Sequence, residues 1–187
     1  MGIDTLDYVM RLFTGLSLTY EVRRNIELLY QSMQPLAPIE WSPPGNLHLT
    51  TKFIGEWPTE GLDELKAMLR KVPKPGPFTV SIDGFGWFPT PHHPRHLFAA
   101  VRAPGQLAQL AVATNDMLAA GGVPVETIPY RPHLTLARIK DPQIDLAPIK
   151  KFIAELPSTD FGRMNVTSFK LYESRDSTYS VLEDFPL

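Results

Sequence analysis

The sequence predicts an α+β fold, with helices packed outside a mostly antiparallel sheet or pair of sheets. Three observations lead there. Runs with the alternation or apolar character of strands recur between runs of helical spacing. Two strand-like runs, residues 78–88 and 95–102, are separated by only a short proline-containing loop, which suits antiparallel neighbours. The 19 prolines are scattered through turns, so no disordered linker divides the chain.

Val9 to Leu18 reads as a strand, with Phe13 and Leu16 embedded in it. From Glu21 to Met33 the spacing turns helical, and Val22, Ile26, Leu29 and Tyr30 share one face. Pro35, Pro38, Pro43, Pro44 and Gly45 then argue against regular structure until a second strand, Leu47 to Ile54. Thr59 to Lys71 is a second helix, ended by the Pro73 to Pro77 stretch. Phe78 to Phe88 is a long strand in which Gly84 and Gly86 mark a bulge or a close approach. A loop over Pro89 to Pro94 leads to a strand over Arg95 to Arg102. A helix over Gln106 to Ala120 follows, stopped by Gly121-Gly122. A strand over Arg131 to Ile139, a short helix from about Leu146 to Glu155, and closing strands near Arg163 to Tyr172 and Tyr179 to Leu182 complete the chain. At 187 residues, these elements fit one domain, residues 1–187.

Composition narrows the function. With 43% hydrophobic and 20% charged residues the chain is globular in character. Its net charge of −2 lacks the basic excess of proteins that coat long nucleic acids, so an RNA partner would be gripped at one end or over a few nucleotides. The absence of cysteine removes disulfides, thiolate nucleophiles and zinc–thiolate sites together. Asp4 and Asp7 interrupt the first ten residues, which argues against a signal peptide, and no run approaches the ~18 apolar residues of a membrane span. The expectation is a soluble, cytoplasmic protein with no membrane partner.

One short pattern occurs twice: His48-Leu49-Thr50-Thr51 and His133-Leu134-Thr135-Leu136. Both copies fall in predicted strands, and a proline turn precedes each. Strand side chains alternate, so His48 shares a face with Thr50, and His133 with Thr135, while the leucines point to the core. If the two strands meet across a cleft, two imidazoles and two hydroxyls surround one small volume suited to a phosphate. One imidazole can accept a proton while the other donates one. The hydroxyls can hydrogen-bond non-bridging oxygens as charge shifts. A lone histidine on a half-buried strand is more often structural; the repetition gives the pattern its weight.

These tetrads and their surroundings resemble the 2H phosphoesterase superfamily, and within it the RNA 2′,3′-cyclic phosphodiesterase branch, also described as 2′-5′ RNA ligase-like. The likeness extends through Arg11-Leu12-Phe13, the segment from Trp41 to Glu56, the segment from Tyr130 to Arg138, Leu171-Tyr172-Glu173-Ser174 and Phe185-Pro186-Leu187. It implies a bilobal α+β fold, two mostly antiparallel sheets facing across a central cleft, with one tetrad from each lobe. It also implies hydrolysis of a 2′,3′-cyclic phosphate at an RNA end, or in a cyclic nucleotide, to a 2′-phosphate, without metal or cofactor. By matching motif positions, His48 would be the proton donor and His133 the proton acceptor, with Thr50 and Thr135 on the phosphate. The symmetry of the tetrads by itself permits either order.

Other residues have two readings each. Arg138 could stack on a base or contact phosphate, but its parity is opposite to that of His133 unless a bulge intervenes. Otherwise it is a surface charge. Phe13 could be an aromatic platform for a base or a core residue. Arg131 and Lys52 could add positive potential at the cleft. His92, His93 and His96 sit in or beside a proline-rich loop without carboxylate partners, which favours an exposed loop over a metal site. Reversible 2′-5′ ligation and RNA binding without turnover are the competing functions. A self-contained cleft fits a monomer.

Overall fold

The computed structural model describes residues 8–187, so Asp4 and Asp7 lie outside the described residues. Nine strands and four α-helices follow in the order β1 (Val9–Ser17), α1 (Tyr20–Met33), β2 (Glu40–Trp41), β3 (His48–Pro58), α2 (Leu62–Arg70), β4 (Phe78–Phe88), β5 (His96–Arg102), α3 (Gly105–Ala119), β6 (His133–Arg138), α4 (Ala147–Glu155), β7 (Asp160–Val166), β8 (Ser168–Arg175) and β9 (Thr178–Pro186). The strands form two antiparallel sheets, one of order β3-β1-β8-β9 and one of order β2-β6-β5-β4-β7. This is the expected α+β architecture. Each sheet contains one of the His-x-Thr strands.

Burial explains why these segments became these elements. In α1, Val22, Ile26, Tyr30 and Met33 are buried, a spacing of three and four that makes one helical stripe. The helix lies against the five-stranded sheet, where Asn25 Nδ2 donates to the Phe161 carbonyl at 2.9 Å. On the other sheet, α2 is tied to β9 by Arg70, whose Nε and Nη2 donate to the Glu183 carboxylate at 2.7 and 2.8 Å. α3 ends where the glycines predict. Gly122 takes φ +89°, and Val123 N returns to the Leu118 carbonyl at 3.0 Å. Leu49 and Leu134 are fully buried, so each His-x-Thr strand is anchored by an apolar side chain worth about 1.5–3 kcal/mol.

Two parts of the sequence reading are corrected. The proline-rich stretch before the first tetrad holds a two-residue strand, Glu40–Trp41, paired with β6 through Glu40↔Arg138 and Trp41↔Ala137. Pro38 on one side and Pro43 and Pro44 on the other limit that pairing to two residues. The run read as one strand near Arg163 to Tyr172 is two strands in different sheets. β7 joins β4 and β8 joins β1, and Thr167 carries the chain from one sheet to the other. No glycine or proline marks that switch.

Candidate active site

Both tetrads are interrupted at the same place. In the β1–β3 ladder Gly15 pairs with Thr50 and Thr14 with Lys52, which leaves Thr51 as an extra residue. In the β5–β6 ladder Phe98 pairs with Thr135 and Leu97 with Ala137, which leaves Leu136 extra. Each bulge falls three residues after its histidine. A one-residue bulge reverses side-chain parity beyond it. The fifth residue after each histidine therefore returns to the histidine's face: Phe53 in β3 and Arg138 in β6, both exposed. The bulge that Arg138 required is present. The same device overturns the expectation for Lys52, which is thrown to the opposite face, is buried, and donates Nζ to the Pro124 carbonyl at 2.7 Å. The second bulge is held from behind, because the Leu136 carbonyl accepts from the Tyr30 hydroxyl at 2.9 Å and from Ser42 N at 2.8 Å.

The two imidazoles are oriented alike. His48 Nδ1 lies 2.6 Å from the Asn46 carbonyl oxygen, and His133 Nδ1 lies 2.9 Å from that of Arg131. Carbonyl oxygens only accept, so Nδ1 carries the hydrogen in both rings and Nε2 is the nitrogen left free of that contact. His48 Nε2 is 2.9 Å from Thr50 Oγ1, which places imidazole and hydroxyl of the first tetrad in contact. Aromatic side chains brace each ring. Phe13 lies 4.5 Å from His48 between ring centroids, Tyr179 meets it edge-on at 5.1 Å, and Phe98 meets His133 at 5.7 Å. Glycines make room for this bracing. A Cβ on Gly86 would stand 2.1 Å from the Phe98 ring, the close approach expected at that glycine.

His48, Thr50, His133, Thr135, Arg138 and Phe13 all line one cleft of about 510 Å³. Burial pulls the His48 pKa below its ordinary value of 6.5; the hydrogen bond to the Asn46 carbonyl opposes this, and charge on His133 lowers it further. The two histidines thus sense one another across the cleft. Phe13 is only 4% exposed and is stacked on Tyr172 at 5.0 Å, so it backs His48 and offers no open face to a base. The Arg131 side chain is exposed and lies outside the cleft lining. What Arg131 contributes is the carbonyl that orients His133. Of the histidine trio, His92 and His93 lie in an exposed loop, whereas His96 is a residue of β5.

Sequence reasoning missed three contributors. Phe53 lines the cleft because of the bulge at Thr51, whose parity change no local pattern announces. Tyr179 reaches the cleft from the β8–β9 hairpin, whose two tip residues, Asp176 and Ser177, take φ of +49° and +61°. That tip is tied to the turn before His48, since Asn46 Nδ2 donates to the Ser177 carbonyl at 2.6 Å. Tyr130, just before the second tetrad, donates its hydroxyl to the Thr50 carbonyl at 2.9 Å and so links the two His-x-Thr segments directly. Replacing Tyr130 by phenylalanine is expected to cost about 1–2 kcal/mol in urea unfolding. A stability unchanged from the parent would show that this link carries no load.

The chain is similar to known proteins over most of its length. The family model described as LigT like Phosphoesterase matches two successive stretches, residues 16–98 and 100–182, each containing one tetrad. An RNA 2′,3′-cyclic phosphodiesterase of Thermus thermophilus is 33% identical over 95% of this chain and 90% of its own length. One from Archaeoglobus fulgidus is 30% identical over 88% and 91% respectively. In fold, E. coli LigT crystallised with 3′-AMP superposes with a TM-score of 0.79 at 24% identity, covering 96% of this chain and 99% of the other. Two sheets, two bulged His-x-Thr strands and these matches together place the chain in the LigT-like phosphoesterase family of the 2H phosphoesterase superfamily.

Proposed function

We propose that the protein hydrolyses 2′,3′-cyclic phosphodiesters at RNA ends to 2′-phosphomonoesters by two-histidine general acid–base catalysis. One observation carries the reading. Both imidazoles are locked through Nδ1 to a carbonyl two residues upstream, which frees Nε2 of each for proton transfer in a shared cleft. The names of the Thermus and Archaeoglobus relatives support the substrate class.

In this mechanism the cyclic phosphate sits between the tetrads. His133 Nε2 takes a proton from water as the water oxygen attacks phosphorus in line with the 3′ oxygen. The bond from phosphorus to that oxygen breaks, and His48 Nε2–H supplies the proton the oxygen needs to leave. Thr50 and Thr135 donate hydroxyl hydrogen bonds to the non-bridging oxygens as negative charge accumulates there. The 2′ ester is retained, and water is the only other reactant consumed. Phe53 supplies the exposed aromatic surface at the cleft on which a base can stack.

Incubation with a 2′,3′-cyclic nucleotide and identification of the product tests this reading. A 2′-phosphate is expected; a 3′-phosphate, or no turnover, would overturn it. The pH profile gives a second check. With His48 as the acid, the free enzyme must hold it protonated, yet burial first, then the His133 charge, lowers its pKa. One limb of the bell-shaped kcat/KM profile should therefore fall below pH 6.5, the ordinary histidine value. A bound phosphate anion raises the same pKa, so the corresponding limb of kcat should lie at higher pH. Coincident limbs would count against His48 as donor.

A further inference from the structure

The cleft wall formed by β6 belongs to the five-stranded sheet, in which β5 is the next strand. Residues paired directly across antiparallel strands share a face, so their side chains form transverse rows. His133 pairs with Ala100, Thr135 with Phe98 and Arg138 with His96. The contact between the Phe98 and His133 rings assigns these rows to the cleft face, while the alternating residues Leu97 and Ala99 are fully buried behind them. The Arg138 row runs from Glu40 on β2 through Arg138 and His96 to Phe88 on β4.

Charge in this row is unbalanced. Glu40 is engaged by Lys140 at 3.0 Å. Among the described residues, neither Arg138 nor His96 has a side-chain hydrogen bond or ion pair, and the charges acting on His96 come from Arg138, His133 and Arg95, all basic. Arg138 is thus an unpaired cation on the cleft wall, with the His96 imidazole beside it in the same row. Such a wall attracts an anion. Its position also has a length scale. The Thr135 and Arg138 rows are one side-chain repeat apart, roughly 7 Å along the strand, close to the step between successive phosphates of a nucleic-acid strand.

We propose that Arg138 and His96 form a second anion site, which holds the phosphodiester immediately 5′ of the terminal nucleotide and so favours RNA ends over free cyclic mononucleotides. This rests on the function proposed above. His96 must be protonated to contribute fully, and burial, followed by the Arg138, His133 and Arg95 charges, lowers its pKa. Glu40 faces the same row but is occupied by Lys140. An incoming phosphate offsets the basic neighbours, so its binding takes up a proton and strengthens as pH falls.

Calorimetric titration with two probes, 2′-AMP and a diadenylate ending in a 2′-phosphate, tests the site at mildly acidic and mildly alkaline pH. His96→Ala should weaken the diadenylate about tenfold at acidic pH, with 2′-AMP binding unchanged. His96→Lys should keep the diadenylate preference at both pH values. An equal preference for the diadenylate in wild type and His96→Ala would overturn the second site. Failure of the wild type to turn over any cyclic substrate would overturn the hydrolase reading instead, and leaves the binding ratio to judge this one.

Discussion

Replacing either His48 or His133 by alanine is expected to lower turnover of a 2′,3′-cyclic nucleotide by about 10²–10⁴-fold, with a much smaller change in KM. In the proposed mechanism the two proton transfers belong to one displacement, so the double variant should be little worse than the more damaging single one. The singles should differ in stability. His133 is exposed, and its removal should shift unfolding free energy by no more than about 0.5 kcal/mol. His48 is partly buried among Phe13, Tyr172 and Tyr179, and its removal leaves a gap against those rings. Steady-state kinetics beside thermal unfolding separates the effects: His133→Ala should lose activity with its melting temperature intact. Parent-like turnover in either variant would end the two-histidine mechanism.

The parts of this site that were legible in the sequence are those governed by local alternation. His48 with Thr50, and His133 with Thr135, share faces because strand geometry alone makes them do so. The core leucines between them are buried for the same reason. Parity beyond the tetrads was not legible, since a bulge is a property of the ladder between two strands. Lys52 and Phe53 exchanged their expected faces through the one extra residue at Thr51. The bulge inferred as a condition for Arg138, applied to the first tetrad as well, would have found Phe53. Tyr179 was hidden differently, because its place beside His48 depends on β8 joining β1, a pairing of residues far apart in the chain.

Gly15→Ala should damage both stability and turnover although it adds a single carbon outside the proposed catalytic groups. Gly15 lies in β1 opposite Thr50, and a Cβ built on it would stand 2.7 Å from the Leu49 carbonyl oxygen and 3.5 Å from His48 Cδ2. The nearer atom is backbone of the strand that carries the first tetrad, so no side chain can swing aside to relieve the contact. β1 and β3 must part, displacing His48 and Thr50 relative to the opposing tetrad. Overpacking of this kind costs about 1–3 kcal/mol. A displacement approaching 1 Å can cost about 10²-fold in rate, so the expected outcome is a lower melting temperature and a 10- to 100-fold lower kcat. Gly45→Ala is the matched control, because a Cβ there meets nothing within 4 Å. It should behave as the parent. Assays well below the melting temperature distinguish misplacement of His48 from loss of folded protein. If Gly15→Ala retains parent kcat and stability, β3 is compliant at this point and the close β1–β3 approach is not what positions the first tetrad.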